Sequence, residues 1–114
     1  MDSKKQERVE STIQKELGRI IETDTDIDPD ILVTITAVAY LPAKRVARVF
    51  VSIFPDKEQT NTLNLLNDSA KSFIPKLQKR IRMGYIPALL FVYDPGIANN
   101  ARVQQLIAKN QKPG

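Results

Sequence analysis

The spacing of apolar residues changes several times along this chain, and these changes limit which folds it can adopt. From 9 to 21 the apolar side chains recur every three or four positions, as on one face of a helix. From 31 to 53 they alternate with other residues in two runs, as in half-buried strands. A second helical spacing follows at 63–81, and a short apolar run occupies 88–93. The predicted order is helix, strand, strand, helix, strand, with a terminal helix at 99–109.

The two alternating runs predict an antiparallel hairpin that follows a first helix at about residues 4–21. One face of the first strand carries Val33, Ile35, Ala37 and Ala39, and one face of the second carries Ala47, Val49, Val51 and Ile53. The continuous run at 88–93 predicts a strand that is buried on both sides or lies at the sheet centre. Helices covering one face of a three-stranded sheet give an α+β layer structure.

A chain of 114 residues is long enough for one compact domain and too short for a second core. We expect a single domain at 1–95 and an extension at 96–114 that is partly helical and then frayed. The longest apolar run, Ala88 to Tyr93, is six residues, whereas a bilayer-crossing helix needs about 20. The N-terminus carries both charge signs with no apolar stretch after it, so a cytoplasmic location is expected.

Polar residues and a proline interrupt the second helical region. The cluster Asn67-Asp68-Ser69 favours local side-chain hydrogen bonds over a helix interior. Pro75 lacks an amide donor and pushes the preceding residue away from helical geometry. A kink or break is therefore predicted between about residues 67 and 75.

Charge is distributed unevenly along the chain. Residues 1–30 hold five Lys/Arg and nine Asp/Glu, whereas the remaining 84 residues hold twelve and four. A basic C-terminal two-thirds indicates an acidic partner, with nucleic acid the leading candidate and a membrane surface a weaker one.

The segment 71–82 contains five basic residues and no acidic one. On a helix with about 100° per residue, its basic and apolar positions fall on separate arcs. The basic set is Lys71, Lys76, Lys79, Arg80 and Arg82, and the apolar set is Phe73, Ile74, Leu77 and Ile81. Such a helix can bury one face and offer the other to phosphates, although surface lysines also serve solubility. Tyr40, Phe50 and Tyr85 are candidates for base stacking or for the core.

Residues suited to catalysis or metal binding are scarce. The chain has no histidine and no cysteine, and it lacks Gly-rich phosphate loops and zinc-hydrolase motifs. The acidic stretch 23–30 does not match a calcium loop, because Pro29 and Ile35 stand where an EF-hand needs Gly and Glu. We expect a non-enzyme with no metal and no cofactor, and a carboxylate-dependent hydrolase is the least favoured class.

Three segments, in order and spacing, carry a resemblance to a known family. They are Asp28-Pro29 ahead of the strand residues 32–38 (LVTITAV), residues 47–52 (ARVFVS) and residues 82–94 (RMGYIPALLFVYD). The chain resembles ribosome-binding factor A, a family of bacterial factors that mature the small ribosomal subunit. The resemblance implies a KH-like fold of the second type, with a kinked second helical unit. The interhelical kink of the family falls here at Ala70, Lys71 and Ser72, with serine in place of the usual glycine.

The resemblance also implies a function. The implied function is to bind the immature small (30S) ribosomal subunit, contact its rRNA and assist late 16S rRNA processing without catalysis. The residues expected to bind RNA are Lys71, Ser72, Lys76, Lys79, Arg80 and Arg82, with Arg45 and Arg48 as helpers. A monomer is expected, with other assembly factors as further partners and no membrane contact. The alternative is a protein-binding adaptor that uses its sheet edge or its acidic N-terminal region.

Overall fold

A computed structural model describes residues 3–82 and 84–94. Its elements are α1 (Ser3–Asp24), β1 (Leu32–Leu41), β2 (Val46–Phe54), α2 (Gln59–Arg80) and β3 (Ala88–Tyr93), with short 3-10 turns at Pro42–Lys44 and Asp56–Glu58. The predicted order of these helices and strands is confirmed. The terminal helix expected at 99–109 and the extension at 96–114 lie outside the described residues.

The three strands form one sheet in the order β1-β2-β3, so β2 is central. β1 and β2 pair antiparallel, which confirms the hairpin, and β2 and β3 pair parallel. A parallel pair needs a long crossover, and α2 supplies it. The prediction that β3 is buried on both sides or central is wrong, because β3 is an edge strand. Leu89 and Phe91 are buried on one face of it, whereas Ala88 and Leu90 are exposed on the other, so the apolar run has one buried face and one open face.

A bulge reverses the side-chain alternation in β1. The pairing with β2 shifts by one residue between Ile35 and Ala37. Before the shift Ile35 packs against the core, whereas after it Val38 and Tyr40 are the buried residues. The prediction that Ala37 and Ala39 share the face of the earlier inward residues is therefore wrong. One inserted residue changes the face of every residue that follows.

Both helices pack on the same face of the sheet around one core. The stripe predicted for α1 is buried at Ile13, Leu17, Ile20 and Ile21, and the predicted inner face of β2 is buried at Ala47, Val49, Val51 and Ile53. α2 and β3 meet through the rings of Phe73 and Phe91, whose centroids are 5.9 Å apart in an edge-to-face arrangement. Neither helix of the described part is long and apolar enough to cross a membrane.

α2 is one uninterrupted helix with Pro75 inside it. A break between residues 67 and 75 is therefore not found, and Ala70, Lys71 and Ser72 all lie within the helix. A kink at these three residues stays a prediction. Proline removes the hydrogen bond that an amide at position 75 would donate four residues back, and its ring crowds the carbonyl at that position. Phe73 and Leu77 are buried on either side of that position, and their burial offsets the cost.

The polar residues of α2 also fail to interrupt it, because their hydrogen bonds are compatible with the helix. The side-chain amide of Asn67 bonds to the backbone of Phe91 in β3 instead of its own helix. The hydroxyl of Ser72 donates to the carbonyl of Ser69 at 2.6 Å, a bond back along the helix that preserves it. Polar side chains that suggest a break in the sequence therefore support the continuous helix.

Candidate nucleic-acid interface

The C-terminal half of α2 has one buried face and one cationic face. Phe73, Leu77 and Ile81 point into the core, and Lys71 and Lys79 are exposed on the opposite side. This is the separation of apolar and basic arcs that the helical projection predicts. Residues 71–82 contain no acidic side chain, although the exposed Asp68 lies one turn before Lys71 on α2.

Two of the basic residues are paired with α1. Lys76 Nζ lies 3.5 Å from Asp24 Oδ2, and Arg80 Nη1 lies 3.5 Å from Glu16 Oε1. These pairs are partly solvated, so each contributes at most about 1 kcal/mol to stability. They tie the two helices together and neutralise part of the charge that the sequence assigns to the RNA-binding face.

Three basic residues remain available at this surface. Lys71, Lys79 and Arg82 are exposed and form no ion pair within residues 3–82 and 84–94. Lys71 and Lys79 are eight positions apart, which corresponds to about 12 Å along an α-helix. Arg82 follows Ile81, whose extended backbone ends the helix. We call Lys71, Lys79 and Arg82 the free cationic set.

Ser72 is exposed next to Lys71, but its hydroxyl proton is used within the helix. Its Oγ donates to the Ser69 carbonyl at 2.6 Å. A phosphate needs hydrogen-bond donors, so Ser72 offers it none in this arrangement.

Arg45 lies in a separate cluster at the turn between β1 and β2. Its backbone is left-handed, with φ 53°, and its guanidinium carbon lies 5.4 Å from the centroid of the Tyr85 ring. The hydroxyl of Tyr85 is 2.8 Å from that of Tyr40, and Tyr85 is 40% exposed while Tyr40 is buried. This hydrogen bond, together with burial, raises the pKa of Tyr40 against the opposing effect of Arg45. An exposed ring held at its hydroxyl and faced by a guanidinium suits stacking with an unpaired base.

Arg48 is not part of either group. It lies on the outer face of the sheet, where its register partners are Ala39 on β1 and Leu90 on β3. The sheet separates it from α2. The predicted RNA-binding residues thus occupy three places: the outer side of α2, the hairpin turn and the uncovered sheet face.

Sequence reasoning missed the acidic partners of α2. Glu16 and Asp24 lie eight positions apart on α1, with Glu16 beside the buried stripe and Asp24 at the C-terminal end of that stripe. Only the packing of α2 against α1 shows which cations these carboxylates meet.

A mixed sheet in the order β1-β2-β3, with both helices on one face and α2 as the crossover, defines a KH-like α+β domain. The family model for ribosome-binding factor A matches residues 5–107, and the chain belongs to that family.

Individual relatives agree with this assignment. Ribosome-binding factor A of Thermodesulfovibrio yellowstonii is 32% identical over 111 residues, covering 96% of this chain and 92% of the relative. The crystal structure of ribosome-binding factor A from Thermus thermophilus matches with a TM-score of 0.68 and 25% identity, over 77% of this chain and 93% of that one. A homology model of the Thermus protein, fitted into a cryo-electron-microscopy map of its complex with the 30S subunit, matches with a TM-score of 0.63 and 27% identity, over 75% and 90% of the two chains.

Proposed function

We propose that this protein binds the small (30S) ribosomal subunit through its rRNA in the cytoplasm and assists late 16S rRNA processing without catalysis. The observation that carries the proposal is the free cationic set, exposed on a helix whose other face is buried. The placement of the Thermus relative in a 30S complex supports the choice of partner.

The mechanism follows from preferential binding. Lys71, Lys79 and Arg82 contact phosphates, and binding releases the counterions condensed on the RNA. If the protein binds one rRNA conformation more tightly than another, it shifts their populations without breaking a bond. About 5.5 kcal/mol of preference moves a conformational ratio from 1:99 to 99:1. The Arg45 and Tyr85 pair, at the hairpin turn, adds a separate stacking surface for an unpaired base.

A charge-reversal pair with a matched control tests the role of the cationic face. The double variant Lys71→Glu with Lys79→Glu is expected to lose at least about tenfold in affinity for 30S subunits in a sedimentation assay. The control, Lys15→Glu with Lys57→Glu, changes the net charge equally on exposed residues of α1 and of the turn before α2. Circular dichroism establishes that both variants are folded. Equal loss in both variants, or loss in neither, contradicts a role for this particular face.

The adaptor alternative is separated from RNA binding by nuclease treatment. If the protein acts through rRNA, its association with ribosomal particles is lost when accessible RNA is digested. Association with isolated ribosomal proteins that survives the digestion would instead favour the adaptor.

A further inference from the structure

An apolar groove runs beside the C-terminal half of α1, and the RNA-binding proposal does not involve it. The groove has a volume of about 390 Å³ and is open to solvent along one side. Its apolar walls come from Ile21 of α1, Ile27 and Ile31 of the following loop, and Val33 and Ile35 of β1. This volume falls within the range of about 300–1,000 Å³ typical of ligand sites.

The groove and the contacts with the cations of α2 lie on different sides of α1. Glu16 lies on one side of the buried stripe and Asp24 at its C-terminal end, and they pair with Arg80 and Lys76 of α2. Gly18 and Glu22, which line the groove, lie on the other side of the buried stripe. A partner in the groove therefore leaves the outer side of α2 accessible to RNA.

Gly18 keeps this groove open at a cost to the helix. Glycine in a helix interior is less favourable than alanine by about 1 kcal/mol. Neither packing nor backbone geometry requires it here, because a Cβ atom at position 18 meets no atom within 4 Å. A larger side chain at this position would project into the groove instead of clashing with the core. The glycine is explained if the space beside it has an occupant.

The surroundings of the groove select a cationic occupant. Residues 20–43 contain five carboxylates and no Lys or Arg. Asp24 is paired with Lys76, but Glu22, Asp26, Asp28 and Asp30 are exposed and form no ion pair in the described part of the chain. Leu32, at the edge of the groove, is 63% exposed. Carboxylates around an apolar groove repel phosphates and attract ammonium or guanidinium groups.

We propose that this groove binds a protein segment in which aliphatic side chains are flanked by Lys or Arg. The aliphatic side chains of the segment enter the groove between α1 and β1, and its Lys or Arg side chains pair with Glu22 and Asp28 at the rim of the groove. The proposal does not rest on the RNA-binding function, since it uses a different flank of α1 and the opposite charge.

Fluorescence anisotropy with a labelled hexapeptide, Lys-Leu-Arg-Lys-Leu-Arg, tests the groove directly. The wild-type protein is expected to bind it and to bind a version with Ser for Leu at least about tenfold more weakly. Gly18→Leu fills the groove and is expected to reduce the affinity at least about tenfold without lowering the free energy of unfolding. Ser11→Leu adds the same side chain at an exposed position of α1 outside the groove and is expected to retain binding.

A charge variant tests the rim. Glu22→Gln with Asp28→Asn removes two carboxylates, while Asn at position 28 still accepts the backbone hydrogen bond that Asp28 receives from Asp30 at 2.8 Å. This variant is expected to bind the hexapeptide more weakly and with a smaller dependence on salt.

Several results would overturn the proposal. They are undetectable binding by the wild-type protein, equal binding of the Ser-substituted peptide, and full affinity in Gly18→Leu. Self-association that Gly18→Leu abolishes, without peptide binding, would assign the groove to a second copy of the chain. The Lys71→Glu and Lys79→Glu variant is expected to bind the peptide normally, so failure of the RNA-binding surface and failure of the groove are distinguishable.

Discussion

The side chain of Asn67 forms two hydrogen bonds with the backbone of Phe91, from α2 to the free edge of β3. Its Nδ2 donates to the Phe91 carbonyl at 3.0 Å, and its Oδ1 accepts from the Phe91 amide at 2.8 Å. An amide side chain thereby satisfies the two groups that a neighbouring strand would otherwise pair with.

The opposite edge of the sheet is closed in the same way by α1. Gln6 Nε2 donates to the carbonyl of Tyr40 at 3.0 Å, and the amide of Tyr40 donates to Glu10 Oε2 at 2.8 Å. Gln14 also donates to the carbonyl of Ile35 at 3.0 Å. Unpaired strand edges attract other chains, and here helix side chains occupy part of each edge, at Phe91 on β3 and at Ile35 and Tyr40 on β1. This arrangement disfavours the form of the adaptor hypothesis in which a partner adds a strand to the sheet.

Asn67→Ala is expected to destabilise the protein by about 2 kcal/mol, because it leaves both backbone groups of Phe91 without their partner. The measurement is the free energy of unfolding from urea denaturation. The control is Asn64→Ala, an exposed position of the same helix, where the expected change is within about 0.5 kcal/mol. A similar small change for Asn67→Ala would show that water replaces the side chain at no cost.

Regular patterns in the sequence predict much of this fold, and local exceptions account for the errors. The buried faces of α1 and β2 follow directly from the spacing of their apolar residues. The bulge after Ile35 has no signal in the alternation, because Ala37 and Val38 are both apolar and either can face the core. The edge position of β3 is hidden by outward residues such as Leu90, which are apolar although exposed. Of the candidate site, the cationic arc is predictable, whereas its partial neutralisation by α1 depends on tertiary packing.

Pro75→Ala is expected to stabilise the protein by about 1 to 3 kcal/mol. The substitution restores an amide that can donate to the carbonyl of Lys71 within a helix that is already continuous. Part of the gain is offset because proline also restricts the unfolded chain. Thermal and urea unfolding measure the effect, and Gln78→Ala, at an exposed position one turn further on, is the control. A loss of stability in Pro75→Ala would indicate that the ring makes a required contact.

The Tyr40 and Tyr85 pair is expected to make stability depend on pH in the alkaline range. The hydrogen bond between Tyr40 and Tyr85 and the burial of Tyr40 raise the pKa of Tyr40 above its ordinary value of 10.0, while Arg45 acts in the opposite direction. The folded state therefore retains a proton that the unfolded chain loses. This contribution is fully present below pH 10 and is lost as the pH rises through the folded-state pKa.

Tyr40→Phe and Tyr85→Phe separate this effect from other groups that titrate at high pH. The slope of unfolding free energy against pH above 10 should be shallower in both variants than in the wild-type protein. In Tyr85→Phe, ultraviolet titration should show Tyr40 ionising at a lower pH, since its hydrogen-bond partner is gone. An unchanged slope in Tyr40→Phe would contradict the assignment.

Removing the carboxylates that neutralise α2 is expected to strengthen RNA binding at little cost in stability. Glu16→Gln with Asp24→Asn releases Arg80 and Lys76, which each lie 3.5 Å from one of these carboxylates. With three phosphates neutralised by the free cationic set, log affinity falls with log salt at a slope of about −2 for single-stranded RNA. Two additional contacts would steepen that slope to about −3.5. Because the ion pairs are partly solvated, the free energy of unfolding should fall by no more than about 1 kcal/mol for each pair.

The same measurement on a matched variant decides whether proximity or net charge is responsible. Glu7→Gln with Glu22→Gln removes two exposed carboxylates of α1 that form no ion pair in the described part of the chain. It changes the net charge by the same amount, but it frees no cation on α2. Its salt slope should therefore stay near the wild-type value, with only a small rise in affinity from the reduced overall repulsion. If both double variants steepen the slope equally, Lys76 and Arg80 do not reach the RNA, and the contact surface is limited to Lys71, Lys79 and Arg82.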